Sequence, residues 1–198
     1  MEDVPTIETT HATVLRGADA AGDDAALVRA ARTDPAAFGL LYQRYRARIY
    51  WYLRGRCRSD EDAADLAQQV FMQAWRAVPG YRERGLPVAA WLFRIARNAA
   101  ANASRRGDLL RVPLPELIDP AADADPERVI LRHEAAEWLG ALVQRLPADK
   151  RELLALRFAA GLSMREIAAV LGVREATIKK RLSRTIRALK EQYDAAAG

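Results

Sequence analysis

Apolar residues recur at spacings of three and four along much of this 198-residue chain, and this period most constrains the possible fold. The segment "AAFGLLYQRYRARIYWYL" shows it in one stripe: Phe38, Leu41, Tyr42, Tyr45, Ile49 and Tyr52 or Leu53. A stripe of this kind is typical of an amphipathic helix that buries one face. No segment shows the residue-by-residue alternation of a half-buried strand. The sequence therefore predicts an all-α protein.

Capping residues mark the predicted helices of the first half. Asp34 is a suitable N-cap, and Pro35 is favourable in the first turn. Ser59 or Asp60 should cap the next helix, whose acidic first turns complement the helix dipole. A third long helix is predicted over 88–106. Three aromatic residues of these helices are expected to pack in the core: Trp75, Trp91 and Phe93.

The second half contains further helix signals. Asp149 is the expected N-cap of one helix, and Gly161 is its expected C-terminal stop. Ser163 and Glu166 have the spacing of a capping box, and Gly172 should end the short helix that follows. The last helix is predicted over about 174–192, with four inward residues: Ile178, Leu182, Ile186 and Leu189.

Charge alternates along the chain. Residues 1–24 contain six acidic residues and one arginine, whereas residues 74–106 contain seven arginines and one glutamate. Residues 107–127 again contain six acidic residues and one arginine, and residues 163–190 contain eight basic residues and two glutamates. Two separate basic blocks suggest two contacts with a polyanion, although charge alone fits solvated helix faces equally well. The predicted organisation has four parts: a flexible acidic N-terminal arm (1–24), a helical domain (25–106), a flexible acidic linker (107–127) and a second helical domain (128–198).

The composition argues against several classes of protein. Cys57 is the only cysteine, which excludes an internal disulfide and fits a reducing cytoplasm. His11 and His133 are too few for a typical zinc site. No apolar run approaches a membrane span, and no signal peptide, phosphate loop or nucleophile motif is present. We expect a cytoplasmic, non-enzymatic protein with no catalytic residue, metal site, cofactor or membrane insertion; a redox role for Cys57 stays open.

Two short helices joined at Gly172, the second of them basic, fit a helix-turn-helix unit. The second helix of such a unit lies in the DNA major groove, where its N-terminal residues reach base edges. The alternative is a solvated surface helix. The candidate DNA-binding side chains are charged or polar: Arg165, Arg174, Glu175, Thr177, Lys179, Lys180, Arg181 and Arg184.

The segment "LPADKRELLALRFAAGLSMREIAAVLGVREATIKKRLSRTIRALK" resembles the fourth conserved region of bacterial sigma factors. That motif is shared in part with LuxR-type response regulators. "DLAQQVFMQAW" and "WLFRIARNAAANASRR" resemble the second sigma region, and the order of the two regions also matches. The short stretch between them indicates the extracytoplasmic-function (ECF) group. The resemblance implies a region 2 helical bundle and a region 4 helix-turn-helix joined by the acidic linker.

The resemblance also implies partners and roles. The protein would direct core RNA polymerase to promoters, with the helix-turn-helix on the −35 element, and an anti-sigma factor would restrain it. The β′ clamp helices and the β flap would be its contacts on the polymerase. The clamp-helix residues would be acidic or amide side chains: Asp62, Asp65, Gln68, Gln69 and Gln73. The −10 element would be recognised and melted by residues of 79–87 and of the third helix: Tyr81, Arg82, Arg84, Arg94, Arg97, Asn98, Asn102, Arg105 and Arg106. The alternative is a helix-turn-helix regulator that acts without being a polymerase subunit.

Two positions depart from the family pattern. Related sequences commonly have serine where Arg174 stands, and an arginine side chain has no acceptor for the helix amides. These sequences more often have an acidic residue where Gln69 stands.

Tyr81 is the loop aromatic expected to stack on an unpaired base.

Overall fold

The computed structural model describes residues 21–83, 85–106 and 138–197, and these residues form helices and connecting turns with no strand. The predicted all-α class is confirmed. The predicted linker 107–127 and most of the predicted arm lie outside the described residues. The helices are α1 (Ala21–Ala30), α2 (Pro35–Arg54), α3 (Asp60–Ala77), α4 (Val88–Arg106), α5 (138–145), α6 (Ala148–Leu154), α7 (Met164–Leu171) and α8 (Glu175–Ala197).

The caps of α2 and α3 are those expected from local sequence. Asp34 Oδ1 accepts a hydrogen bond from the Ala36 amide at 2.9 Å, and Pro35 occupies the first turn. Ser59, rather than Asp60, caps α3, because its Oγ accepts from the Asp62 amide at 3.0 Å. Each cap supplies an acceptor for an amide that has no partner within its helix.

Helix α1 begins at Ala21, earlier than the helical pattern from residue 25 predicts. Its Asp24 is 2% exposed and accepts hydrogen bonds from Arg44 and from the Tyr45 hydroxyl. A buried carboxylate with two donors is a tertiary feature, so the local pattern does not reveal it. The acidic residue counted with the arm therefore anchors α1 on α2.

The predicted Asp149 cap is wrong. Helix α6 begins at Ala148, and Pro147 stands at the N-cap position with no side-chain hydrogen bond. The Pro147 carbonyl accepts from the amides of Lys150 and Arg151 at 3.1 Å, so the proline-fixed backbone starts the helix before Asp149. After a π-helical turn at Ala155–Ala159, Gly161 ends the segment at φ +62°, as predicted.

Helices α1 to α4 pack around a common core, in which Leu41, Ile49, Leu53, Val70 and Phe93 are buried. Trp91 is half-buried against it. The predicted core position of Trp75 is wrong, because its side chain is 41% exposed at the edge of the packed face, where it meets Phe38 with ring centroids 5.0 Å apart. Tyr42 is exposed as well.

In the second half, α8 packs on α7 and α6 through Ile178, Leu182 and Leu189. The predicted inward position of Ile186 is wrong, since this residue is exposed. Most buried apolar residues of the described ranges form one contiguous set from Val28 to Leu189, because α4 packs against α7 and α2 against the π-helical turn. Ala31, Ala37 and Val78 form a small second set. No helix within the described ranges is long and apolar enough to cross a membrane.

Candidate nucleic-acid and partner-binding surfaces

The turn between α7 and α8 has the local chemistry of a helix-turn-helix. Ser163 Oγ accepts from the Glu166 amide at 3.2 Å, and Glu166 Oε2 accepts from the Ser163 amide at 2.7 Å. This reciprocal capping box fixes the start of α7. Gly172 ends α7 at φ +69°, a left-handed conformation that other residues rarely adopt. The turn thus sets the direction in which α8 leaves α7.

The N-terminal half of α8 presents the predicted DNA-binding residues. Thr177, Lys180, Arg181 and Arg184 follow one another at spacings of three, one and three, so they lie on one side of the helix. The three basic residues are exposed, and Thr177 is half-buried. Such a stripe, about two helical turns long, can contact phosphates along one groove wall.

The start of α8 departs from a well-capped helix. Arg174 precedes the first helical residue, and its carbonyl accepts from the Thr177 amide at 2.9 Å. Its exposed side chain has no acceptor oxygen for the free amides. Glu175 lies 3.0 Å from Lys179 Nζ in an i,i+4 ion pair, so the two side chains are directed at each other. Arg165 is exposed on α7.

A second polar surface runs along α4. Its exposed predicted residues lie on the side away from Leu92, Phe93 and Ala96: Arg94, Arg97, Asn98, Asn102 and Arg105. Arg105 donates to Asn102 Oδ1. Arg94 donates to the Ala169 carbonyl of α7, and Arg97 Nε is 3.9 Å from Glu152 Oε1 of α6. The second half of the chain therefore contacts part of this surface.

The loop before α4 contributes less than the sequence suggests. Tyr81 is 7% exposed, and its ring packs edge-on against Trp91 with centroids 5.1 Å apart. Burial raises the pKa of its hydroxyl. Arg32 Nη2 donates to the Tyr81 carbonyl at 2.5 Å, which fixes the backbone there. In this arrangement the ring is not available for stacking on a base. Arg82 is exposed, whereas Arg84 and the side chain of Arg106 lie outside the described residues.

The outer face of α3 carries all the residues predicted to bind the polymerase, and every one is exposed: Asp62, Asp65, Gln68, Gln69 and Gln73. Asp65 and Gln68 border an open groove between α2 and α3, whose other wall includes Tyr42, Tyr50 and Trp51. Met72 is 48% exposed on the same helix. The sequence analysis missed this groove because helical periodicity placed Tyr42 in the inward stripe and did not single out Tyr50, Trp51 or Met72.

A second open groove on the C-terminal half was also missed. Met164, Leu182 and Ile186 form its apolar floor, and Lys179, Arg187 and Lys190 line it with basic side chains. The exposure of Ile186 within the predicted inward stripe is the feature that opens this groove. It adjoins the basic stripe of α8.

Cys57 is buried just after the end of α2, and three side chains in this part of the chain have shifted pKa values. Burial raises the pKa of the Cys57 thiol to about 11, although Arg54 and Arg56 act in the opposite direction. Burial and a hydrogen bond to Asp60 raise the pKa of Tyr50 to about 12. Hydrogen bonds donated by Tyr50 and Arg54 lower the pKa of Asp60. Within the ranges described, no group of His, Cys, Asp and Glu side chains is placed to hold a metal ion.

Comparisons with known families match both halves of the chain. The Sigma-70 region 2 model matches residues 41–109, which include α3 and α4. The model of Sigma-70, region 4 matches residues 136–189, which include the helix-turn-helix. The two regions therefore occur in the expected order.

Known proteins similar to the chain support the same grouping. The ECF RNA polymerase sigma factor SigD of Mycobacterium tuberculosis is 32% identical over 87% of this chain and 84% of its own length. The RNA polymerase sigma-H factor of Pseudomonas aeruginosa is 33% identical over 84% of this chain and 91% of its own.

Two solved complexes are similar in structure. CnrH in complex with the cytosolic domain of CnrY has a TM-score of 0.63 and 26% identity, covering 87% of this chain and 97% of that chain. The sigma factor RpoE in complex with the anti-sigma factor NepR, from Bartonella quintana, has a TM-score of 0.53 and 26% identity. This match covers 79% of this chain and 94% of that chain. Both sigma-70 regions, the identity to whole relatives and the shared fold agree: the chain belongs to the ECF RNA polymerase sigma factors.

Proposed function

We propose that this protein directs core RNA polymerase to a specific set of promoters, as a non-enzymatic initiation subunit in the bacterial cytoplasm. The observation that carries the proposal is the stripe of Thr177 with the exposed Lys180, Arg181 and Arg184 on α8, which follows a left-handed turn glycine and the capped helix α7. Caps of this kind also occur in ordinary surface helices, but a basic second helix directly after a tight turn matches the recognition helix of a helix-turn-helix.

The −35 element is assigned to the N-terminal half of α8. Lys180, Arg181 and Arg184 would neutralise phosphates, and Arg174 and Thr177 would reach base edges, where arginine pairs with guanine and the threonine methyl with thymine. Because Glu175 and Lys179 are paired with each other, each reads DNA only after exchanging that partner. Arg165 on α7 would contact the adjoining backbone.

The −10 element is assigned to the exposed side of α4. The amides of Asn98 and Asn102 lie one turn apart and can present donors and acceptors to unpaired bases. The arginines of the helix and of the preceding loop would hold phosphates, and this set comprises Arg82, Arg84, Arg94, Arg97, Arg105 and Arg106. Tyr81 would stack on a base only after leaving its contact with Trp91.

The polymerase is assigned to the outer face of α3. Asp62, Asp65, Gln68, Gln69 and Gln73 offer carboxylates and amides to the β′ clamp helices, and the neighbouring groove offers aromatic side chains. Such a mixed surface suits a basic, amphipathic partner helix. We assign a second polymerase contact to the C-terminal domain of this chain, which would bind the β flap.

An anti-sigma factor is the regulatory partner that we propose. RpoE of Bartonella quintana was solved in complex with the anti-sigma factor NepR, and CnrH with the cytosolic domain of CnrY. Likeness in fold to both complexes supports an equivalent partner for this chain.

Gel filtration of the purified chain with core RNA polymerase tests the proposal. We expect co-elution for the wild type and at least about a tenfold loss of affinity for Asp65→Arg, which places a positive charge against the clamp helices. Asp194→Arg, with the same charge change on an exposed residue of α8, is the matched control and should co-elute. Tight binding to duplex DNA without any binding to the polymerase would favour the regulator that acts alone.

A further inference from the structure

The open groove beside α8 combines an apolar floor with a basic edge. Met164, Leu182 and Ile186 form the floor, and Ile186 is 43% exposed there. Arg187 and Lys190 stand exposed at the edge. Such a surface is complementary in charge and polarity to an acidic segment that carries apolar side chains.

The basic residues of the groove differ in their partners. Lys179 Nζ lies 3.0 Å from Glu175, so its charge is already paired on α8. Arg187 and Lys190 form no ion pair within the described ranges of the chain. These two side chains therefore provide the positive charge that a segment in the groove would meet.

The groove floor and the DNA-binding stripe lie on opposite sides of α8. Ile186 follows Thr177 by nine residues, and Lys190 follows Arg181 by nine residues. At 3.6 residues per turn, nine residues make two and a half turns, which places the members of each pair on opposite sides of the helix. A segment in the groove therefore leaves the stripe accessible to DNA.

The first 20 residues of the chain, which lie outside the described ranges, contain a segment of suitable chemistry. Residues 2–8, "EDVPTIE", have three acidic side chains, no basic one, and apolar side chains at Val4 and Ile7. Pro5 and the β-branched residues beside it favour an extended backbone. In a polyproline II conformation, with three residues per turn, Val4 and Ile7 share one side of the segment.

Helix α1, which follows this arm, begins close to the groove. Asp24 in its first turn accepts a hydrogen bond from the Tyr45 hydroxyl, and the Arg48 guanidinium lies 5.3 Å from the centroid of the Tyr45 ring. Arg48 Nη2 lies 3.9 Å from Glu166 in the first turn of α7, two residues after Met164 of the groove floor. Only two side chains therefore separate the first turn of α1 from the first turn of α7.

The arm is long enough to reach the groove from the start of α1. Fourteen residues lead from Ile7 to Ala21, and they span up to about 45 Å when extended. A compact chain of this length has a radius of gyration of only about 16 Å. The tether therefore does not prevent Ile7 from reaching Ile186.

We propose that residues 2–8 of the acidic arm dock in this groove, with Ile7 on the floor at Ile186 and the acidic side chains beside Arg187 and Lys190. Docking covers the exposed apolar floor and neutralises the basic edge, so that phosphate contacts are confined to the stripe on the other side of α8. This consequence for DNA rests on the proposed function, whereas the docking itself depends only on the arm and the groove.

Disulfide trapping in the full chain tests the docking without DNA or polymerase. Ile7→Cys with Ile186→Cys should form an intramolecular disulfide when diamide is added, which takes up the two electrons and two protons of the thiols. Ile7→Cys with Arg184→Cys is the matched control, because Arg184 is exposed two residues away on the stripe side of α8. Cys57 is buried and does not compete.

Mass spectrometry of the digested chain measures both rates. Each rate is divided by the reactivity of the corresponding single α8 cysteine toward oxidised glutathione. The disulfide should form at least about tenfold faster at position 186 than at position 184, because docking raises the local concentration of the arm on one side of the helix.

The charge of the arm is tested in the same pair of cysteines. Glu2→Lys should slow trapping at position 186 about three- to tenfold, because it reverses one charge that faces the basic edge. Asp19→Lys makes the same charge change in the arm outside residues 2–8 and should slow trapping much less.

Equal rates at positions 186 and 184 would overturn the proposal, and equal effects of the two charge variants would overturn the assignment of residues 2–8. Disulfides that join two chains would also overturn it, because they would assign the groove to a second copy of the protein. A chain that fails to bind core polymerase would refute the proposed function and leave the trapping rates unchanged.

Discussion

Arg48 Nε donates to the carbonyl of Ala160 at 2.8 Å, and this bond joins the middle of α2 to the turn before the helix-turn-helix, 112 residues further along the chain. The guanidinium also lies over the rings of Tyr45 and Phe93, at 5.3 and 5.9 Å from their centroids. An arginine inside the apolar stripe of α2 is therefore part of the core that joins α2 to the second half of the chain.

We expect Arg48→Ala to lower the free energy of unfolding by about 2–4 kcal/mol, because it leaves two carbonyls and Glu166 without a buried donor. Urea denaturation followed by tryptophan fluorescence measures this decrease. Arg46→Ala, two residues away on the exposed side of α2, should change stability by no more than about 0.5 kcal/mol. Equal decreases for the two variants would refute the buried role of Arg48.

Arg174→Ser should stabilise the protein, because a serine hydroxyl at this position can accept a hydrogen bond from the first turn of α8. The expected gain over Arg174→Ala is about 0.5–1 kcal/mol, the usual contribution of an N-cap. Thermal or urea unfolding of the two variants measures it. If the serine and alanine variants are equally stable, α8 does not start at Glu175.

Lys180→Ala with Arg181→Ala should weaken binding to a mixed-sequence 30-base-pair duplex and flatten its salt dependence. The slope of log K against log salt should fall by about 0.9 for each phosphate that the variant no longer neutralises. Arg187→Ala with Lys190→Ala removes the same charge further along α8, beside the Ile186 groove, and should retain most of the slope. An unchanged slope in the first variant would remove the exposed stripe from the DNA interface.

Cys57 should be inert in the folded protein. Its thiol is fully buried, and a pKa of about 11 leaves only about 0.1% as the reactive thiolate at pH 8. The pKa of the thiol is raised because burial disfavours the charged thiolate. Labelling with Ellman's reagent at pH 8 should be slow until urea is added. Rapid labelling of the native chain would revive a redox role.

Local sequence was sufficient to predict the caps at Asp34 and Ser163 and the helix-ending glycine at 172, since each depends on neighbours within four residues. It narrowed the cap of α3 to Ser59 or Asp60, and the structure selects Ser59. The Asp149 prediction failed because a proline two residues earlier started the helix first. Local rules therefore predicted most helix ends, but failed at the start of α6, where two signals competed, and at the start of α1, which tertiary contacts of Asp24 anchor.

Features that depend on which helices meet could not be predicted in this way. Periodicity placed Trp75 and Ile186 inward, but both lie at the edge of a packed face and are exposed. The sequence predicted that Tyr81 is a loop aromatic available for stacking on a base, but its ring packs against Trp91. The partners of Arg48 and Glu152 are about 100 residues away, so only the tertiary structure identifies them.

Transcription of sheared genomic DNA by core polymerase, with and without the purified chain, tests the central claim most directly when the 5′ ends of the transcripts are mapped. The proposed function predicts a set of start sites that core polymerase alone does not use, preceded by common sequence elements near −35 and −10. Lys180→Ala with Arg181→Ala should reduce these transcripts, and Arg187→Ala with Lys190→Ala should leave them largely intact. Start sites identical to those of core polymerase alone would contradict the proposed function.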